Sequence, residues 1–283
     1  MTPKPPDDEA AVDVIGLVPA GGHGSRVAPL PGSKELFPIG FRTTPGREGP
    51  RPKAVCHYLL EAMETAGIRR ICMILRAGKW DLPQYLGDGS ELGLHIAYLM
   101  LDAPFGAPFT IDQAYPWLGT SRVAFGFPDI IFRPRDAYRT LLEQQERTGA
   151  DVVLGAFPAD RPHAVDMVDF DSSGALRSIS IKPKTTSLRY TWGIAVWTPR
   201  FSRFLHERVQ EHLQDAEHPE ESARLAAREW YVGEFITKAA SQGLRVEVAV
   251  VSDEPFVDVG TPSSLLAAVR HFAADDAPEN EEQ

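Results

Sequence analysis

Gly16-Leu-Val-Pro-Ala-Gly-Gly-His-Gly-Ser-Arg26, followed by Ser33-Lys34-Glu35-Leu36, is the stretch on which the reading of this chain turns. The apolar run Val14–Val18 predicts a short buried strand that empties into a glycine-rich turn. Gly21, Gly22 and Gly24 lack a Cβ, so the backbone can bend sharply and bring N–H groups close to anionic oxygens. Arg26 and Lys34 add the positive charge that a polyphosphate requires. The string is neither of the two commonest phosphate loops. A Walker A loop needs Gly-x-x-x-x-Gly-Lys-Ser/Thr, which does not occur in the chain. A dinucleotide fingerprint needs a third glycine where Val27 stands, and Pro29 and Pro31 oppose a helix directly after the turn. His23 reads as a backbone-shaped loop residue rather than a base.

Bulk properties narrow the field. At 283 residues, 43% of them hydrophobic, the chain can bury a substantial core. A net charge of −10 argues against a nucleic-acid or anionic-membrane surface, each of which needs a basic patch. Cys56 and Cys72 sit in apolar runs and read as buried free thiols, which suits a reducing cytoplasm. Met1 to Asp13 is acidic and proline-rich, unlike a secretory leader, and no run approaches the ~20 apolar residues of a membrane span. Residues 1–12 and the acidic 273–283 are expected to be disordered, bracketing one domain over 13–272.

Along the chain, short apolar runs alternate with helical patterns. That predicts an α/β fold with a Rossmann-like, mainly parallel central sheet flanked by helices. Strands are expected at Val14–Val18, Ile68–Leu75, His95–Leu101, Arg122–Phe127 and Val152–Phe157. Helices are expected at Ala54–Ala66, Ala107–Leu118 and Asp136–Arg147. Beyond Val165 the pattern changes: Val165–Phe170 and Ala175–Ile181 flank Asp171-Ser-Ser-Gly174, a hairpin signal. Tyr190–Trp197 follows as a strand, so an antiparallel insertion is expected to wall one side of a cleft. Helices at Pro199–Gln214 and Glu229–Gln242, strands at Leu244–Val251 and Phe256–Val259, and a helix at Pro262–Phe272 close the chain.

Several strings, in order, resemble one family. Ala20-Gly21-Gly22-His23-Gly24-Ser25-Arg26, Pro29-Leu30 and Ser33-Lys34-Glu35-Leu36-Phe37-Pro38 are similar to the opening of the sugar-1-phosphate nucleotidylyltransferases, of the glucose-1-phosphate thymidylyltransferase type. Pro52-Lys53 stands at the family's Lys-Pro position with the residues swapped and is expected to open a helix. Tyr85-Leu-Gly-Asp-Gly-Ser-Glu-Leu-Gly93 and Phe256-Val-Asp-Val-Gly-Thr-Pro262 resemble two further family strings. Matches that keep their order over residues 14 to 270 are more specific than any one motif.

The resemblance implies a GT-A-like nucleotidyltransferase fold and a reaction between a nucleoside triphosphate and a sugar 1-phosphate. It implies that Ala20, Gly21, Gly22, Gly24, Ser25, Arg26 and Lys34 hold the nucleotide, with Leu101 and Gly106 on the base side. Asp129 and Asp258 fall at the family's metal-binding aspartates, implying Mg²⁺, although Pro128-Asp129 replaces the usual Gly-Asp. Lys182 falls at the sugar-phosphate lysine. Arg26, Lys34 and Lys182 are the catalytic candidates. Asp166, Trp192 and Gly193 are candidates for the sugar side, although Trp192 reads first as core and second as a pocket wall. Relatives are often dimers or tetramers, so a homo-oligomer is among the expectations.

Three departures bear on substrate choice. Ile181 stands where the family has a glutamate that accepts sugar hydroxyls, Asp166 where it has a glycine, and Leu101 where thymidylyltransferases have a base-reading glutamine. Leucine cannot read a base edge by hydrogen bonds. Three readings stay open: an NDP-sugar synthesising transferase, a transferase acting on a non-sugar phosphate such as a cyclitol phosphate or phosphocholine, and a non-catalytic relative that senses nucleotide.

Overall fold

The computed structural model describes residues 13–22, 24, 26–43, 48–101, 106–215 and 227–272, without the side chains of Leu101 and Asp215. The terminal segments 1–12 and 273–283, and Ser25, lie outside the described residues. In chain order the elements are β1 (Val14–Pro19), β2 (Pro38–Arg42), β3 (Arg51–Ala54), α1 (Val55–Thr65), β4 (Arg70–Arg76), α2 (Asp81–Leu86) and β5 (His95–Leu101). Then come α3 (Ala107–Asp112), α4 (Tyr115–Leu118), β6 (Arg122–Gly126), β7 (Ile130–Ile131), α5 (Ala137–Thr148), β8 (Val152–Pro158), β9 (Met167–Phe170), β10 (Leu176–Ser180) and β11 (Tyr190–Trp197). The chain continues through α6 (Pro199–Asp215), α7 (Val232–Ser241), β12 (Val246–Val250), β13 (Val257–Asp258) and α8 (Pro262–Phe272).

The α/β reading holds. β5, β4, β1 and β6 lie side by side and parallel. β11 then runs antiparallel to β6 and to β8, and β12 pairs parallel with β8. The hairpin β9–β10 adds on to the first residues of β11, through Tyr190 and Thr191, as the expected antiparallel insertion. β1 is buried on both faces because helices cover both sides of the sheet. Ile15 and Leu17 face the core that includes α3, α6 and α7, whereas Val18 faces the one beneath α1 and α5. Full burial of side chains such as Leu17 and Val18 contributes about 1.5–3 kcal/mol each. Among the described residues no helix is long and apolar enough to cross a membrane.

Local readings needed four corrections. Pro52-Lys53 opens no helix: Arg51–Ala54 pairs with Pro38–Arg42 as an antiparallel hairpin, and α1 begins at Val55. Lys53 is buried there against Glu61 at 2.9 Å and over the Tyr58 ring, so it is a packing residue. The Ala107–Leu118 helix breaks at Gln113–Ala114 into α3 and α4. Glu229–Tyr231 is extended rather than helical, because Trp230 bridges Gly106, and the helix starts only at Val232. Asp81–Leu86 is helical, which periodicity over so few residues did not reveal.

The topology fixes where a ligand can sit. From β1 the chain goes to one side, to β4 and β5, and then returns to the other side at β6. Strand order therefore reverses at β1, and the crevice beyond its carboxyl end is the position where open α/β sheets bind ligands. Gly21 and Gly22 follow β1, Arg76 ends β4 and Asp129 follows β6.

Candidate active site

The glycine loop leaves β1 along the sheet top, where the Ala20 N–H donates to the Ile74 carbonyl at 2.8 Å. It then tightens: the N–H groups of Val27 and Ala28 both donate to the Gly24 carbonyl at 3.1 Å, and Gly24 has φ +64°. No helix follows directly, in keeping with Pro29 and Pro31; a single 3₁₀ turn at Lys34–Leu36 comes first. The loop borders a cleft of about 960 Å³ that Gly21, Gly22, Gly24, Arg26, Lys34 and Asp129 all line. Gly106 lines the same cleft on the β5 side. The Leu101 side chain lies outside the described atoms.

Asp129 and Asp258 are far apart in sequence and are joined by a two-residue ladder. β13 pairs antiparallel with β7, placing Asp258 opposite Ile130, and the Val259 N–H donates to the Asp129 carbonyl at 2.8 Å. The Lys34 ammonium bonds the Asp129 carboxylate. Burial pulls the Lys34 pKa down, but the charge and hydrogen bond of Asp129 outweigh it, and the net push is upward. Burial raises the Asp258 carboxyl, and the Asp129 charge raises it further against the pull of Lys34, Arg26 and Arg161. A buried carboxylate raised by the charge of a second one beside it marks a site that favours a cation. Among the described residues there is no cluster of three or more protein metal ligands. Two hard oxygen donors at the edge of an open cleft suit Mg²⁺, an ion that keeps several waters and needs few protein ligands. Asp129 and Asp258 are the residues that would hold it.

Gly260 shows how tightly the second aspartate is packed. A Cβ there would come within 2.8 Å of Asp258 Oδ1 and 2.9 Å of the Arg26 guanidinium. Arg26 and Asp258 thus converge from the two ends of the chain. Arg161, which the sequence did not single out, faces the same carboxylate from the loop after β8.

Two further groups escaped sequence reasoning. Glu35, 1% exposed, accepts from the Lys79 ammonium at 2.6 Å, and its second oxygen is buried with no partner among the described residues. This pair ties the Lys34 turn to the segment before α2. The signal lay in Ser33-Lys34-Glu35, but nothing in the sequence names a partner that is 44 residues away. Arg76 lines the cleft and an adjoining cavity of about 330 Å³; its Nη1 donates to the Ala77 carbonyl at 3.2 Å, and its buried Nε has no partner among the described residues.

The predicted sugar-side residues do not all converge. Trp192 is 7% exposed and packs in the core near Phe125, and Gly193 sits against Ile130 and Phe256. Alternation sends the two to opposite faces of β11, and because both faces are covered each is buried and neither lines the cleft. Asp166 lies under Lys182: its carboxylate takes the Lys182 backbone N–H, at a residue whose φ is +38°. Burial pushes Asp166 up to about 6, against the opposing charge of Lys182. The Lys182 ammonium reaches outward to the Tyr231 hydroxyl at 3.2 Å and to Glu229 at 3.6 Å, and Glu229 lines the cleft.

The crevice thus lies at a strand-order reversal, lined by Arg26, Lys34 and Asp129, with Asp258 in the adjoining pocket. The model of the family described as nucleotidyl transferase matches residues 15–275, and the chain belongs to that family. Its relatives lie among the sugar-1-phosphate nucleotidyltransferases. A glucose-1-phosphate thymidylyltransferase of Mycolicibacterium smegmatis is 30% identical over 180 residues, 62% of this chain and 57% of that protein. A low-salt glycan biosynthesis nucleotidyltransferase of Haloferax volcanii is 26% identical over 171 residues, 59% of this chain and 44% of that protein. The matched part of the chain thus spans less than three-fifths of the length of these curated relatives. For fold alone, a Bacillus anthracis structure carrying the name glucose-1-phosphate thymidylyltransferase, solved with sucrose, superposes with a TM-score of 0.74 at 19% identity, over 94% of this chain and 96% of that one.

Proposed function

We propose that residues 13–272 act as one nucleotidyltransferase domain that joins a nucleoside triphosphate to a sugar 1-phosphate. A phosphate oxygen of the acceptor attacks the α-phosphorus in line. The bond from the α-phosphorus to the bridging oxygen breaks, its electron pair leaves on pyrophosphate, and an NDP-sugar results. The single observation that carries this reading is the convergence of the glycine loop, Arg26, Lys34 and Asp129 on one cleft, with Asp258 beside Arg26 in the adjoining pocket.

The acceptor phosphate is already anionic near neutral pH, since a phosphate monoester has a second pKa of about 6. No general base is therefore required of the chain. The task is to hold two polyanions in line and to spread the charge that develops on the leaving group. Backbone N–H groups at Gly21, Gly22 and Gly24 cradle the triphosphate, while the Ala20 N–H, bonded to the Ile74 carbonyl, fixes the start of the loop. Arg26 and Lys34 face the leaving pyrophosphate, and Lys182 holds the acceptor phosphate. Mg²⁺, held by Asp129 and Asp258, supplies charge neutralisation across the phosphates when bound. Lys34, now paired to Asp129, is the built-in cation of that site.

The relatives' names make dTTP the first donor to test, with UTP beside it. The acidic chain with two free buried thiols fits a cytoplasmic enzyme. The test is pyrophosphate release with Mg²⁺ across a matrix of nucleoside triphosphates and phosphorylated acceptors. Acceptor-dependent release that falls at least about 100-fold in Asp129→Ala is expected, the size seen when a charge-stabilising group is removed. Nucleotide binding without release for any acceptor would favour the sensor reading, for which Ile181 and Leu101 speak.

A further inference from the structure

β13 sets Asp258 opposite Ile130 of β7, and the charges of Lys34, Arg26 and Arg161 face it together with that of Asp129. Arg26 comes from the loop after β1, and Arg161 from the loop between β8 and β9. The two arginines line one pocket of about 60 Å³ with Asp160, Asp258 and Thr261. The loop that carries Arg161 is pinned at both ends. The Ala159 N–H donates to the Arg189 carbonyl at 2.9 Å, and the Thr191 hydroxyl donates to the Asp166 carbonyl at 2.8 Å. Between them the Ala164 N–H donates to the Arg161 carbonyl at 2.9 Å, closing a turn whose second residue, Pro162, has its φ fixed by its ring. The Arg161 backbone is thus held while its exposed side chain is not. Among the described residues neither Arg161 nor Arg26 closes a side-chain hydrogen bond or a salt bridge.

This pocket lies between the groups assigned to the two phosphates. It meets the donor side through Arg26, which also lines the main cleft. It meets the acceptor side through Thr191, which holds the Asp166 backbone, and Asp166 in turn takes the Lys182 N–H. We propose that Arg161 is a further catalytic residue, whose guanidinium contacts the α-phosphoryl group where donor and acceptor meet and shares with Arg26 the charge that moves onto the leaving pyrophosphate. This rests on the transferase reading. Arg161 exchanges no proton: the acceptor oxygen bonds to the α-phosphorus, the bond to the bridging oxygen breaks, and its electron pair leaves on pyrophosphate. A guanidinium suits the task because it is always charged and offers a rigid fork of donors that matches phosphate oxygens. Charge balance points the same way. Lys34, Arg26 and Arg161 offset Asp129, Asp160 and Asp258 in the free protein. A divalent metal turns that cluster positive within a chain of net charge −10, and the substrates' phosphates then offset it.

The test is steady-state pyrophosphate release by the full chain, with the donor and acceptor that wild type turns over, in Arg161→Ala and Arg161→Lys. A thermal melt and a Mn²⁺ titration of the nucleotide-free chain accompany it. Arg161→Ala is expected to lower kcat about 100-fold with each KM held within about threefold, because a group that acts on charge developing in the transition state is lost from kcat. Arg161→Lys should keep part of the rate, and added guanidinium ion should restore part of it to Arg161→Ala. The melting temperature should hold, since the side chain is exposed. Free Arg161→Ala should bind Mn²⁺ about twofold or more tighter than wild type, because a cation facing Asp258 is gone; a residue that only shaped its loop would not move that affinity. A kcat within about threefold of wild type, a loss confined to KM, an unchanged Mn²⁺ affinity, or a rate loss that tracks a lower melting temperature and ignores guanidinium would each overturn the proposal. A wild type that releases no pyrophosphate with any pair of substrates would sink the transferase reading and this role with it. Turnover by wild type that Arg161→Ala matches would sink this proposal alone.

Discussion

Gly260 has no side chain because Arg26 and Asp258 occupy the space that one would need. In Gly260→Ala the new methyl meets the mobile ends of those two side chains, at 2.9 and 2.8 Å, rather than backbone. The fold should therefore survive while the two groups swing out of line. We expect pyrophosphate release to fall about tenfold or more with little change in melting temperature, since misplacement of about 1 Å can cost as much as 100-fold. Steady-state rates read beside a thermal melt check this; a parallel loss of stability would mean that the backbone had moved instead. At this scale the glycine loop, Lys34 and both aspartates were legible, because a phosphate site needs those residue types at short spacing or in family order. Glu35, Lys79, Arg76 and Glu229 were not. A buried carboxylate and a surface one read alike in a sequence, and only their partners distinguish them.

At the level of elements, the Lys34 turn is held by the Glu35–Lys79 pair and by Asp81, which accepts from the Ser33 N–H at 2.6 Å and from its hydroxyl at 2.8 Å. Burial pulls the Lys79 pKa down against the charge of Glu35. Lys79→Met would leave a buried carboxylate without its cation. A loss of about 3–5 kcal/mol is expected in denaturant unfolding, largely restored when Glu35→Gln is added. The start of α1 carries a second device. His57 Nδ1 accepts the Ala54 N–H at 3.2 Å, and burial, with the charges of Arg42 and Lys53, drops its pKa to about 3. The unfolded imidazole titrates at about 6.5, so between those values the unfolded state holds one more proton. Stability therefore falls as pH drops through that window, by about 1.4 kcal/mol per unit once well inside it. Urea midpoints for wild type and His57→Gln at pH 7 and 4.5 test the sign: the variant should show the shallower acid loss. Propensity failed where long-range pairing won. Pro52-Lys53 is strand because it pairs with Phe41 and Gly40, and Glu229–Tyr231 is extended because Trp230 bridges Gly106.

Across the whole molecule, the cleft is assembled from sequence-distant parts: the loop after β1, the ends of β4 and β6, and the short ladder of β13 on β7. A ligand that spans those parts binds only the folded state. Saturating Mg²⁺ and a cognate nucleoside triphosphate at 100 times its Kd should add about 2.7 kcal/mol and raise the melting temperature; Asp129→Ala should blunt that gain. A screen of nucleotides by thermal shift reads it directly, and equal shifts in wild type and variant would remove Asp129 from the metal site. The order of apolar runs determined by itself that the chain is an α/β protein with a parallel centre, and the glycine string with its lysine determined that a tight loop and a cation stand at the end of that centre. Both follow from local rules: side-chain period, the missing Cβ of glycine, and charge. Only the tertiary structure decided that Trp192 and Gly193 turn into the core and that Arg161 reaches Asp258. It alone set Glu229 beside Lys182. Those outcomes depend on which face of a strand is buried and on contacts between residues tens of positions apart, which no local pattern specifies.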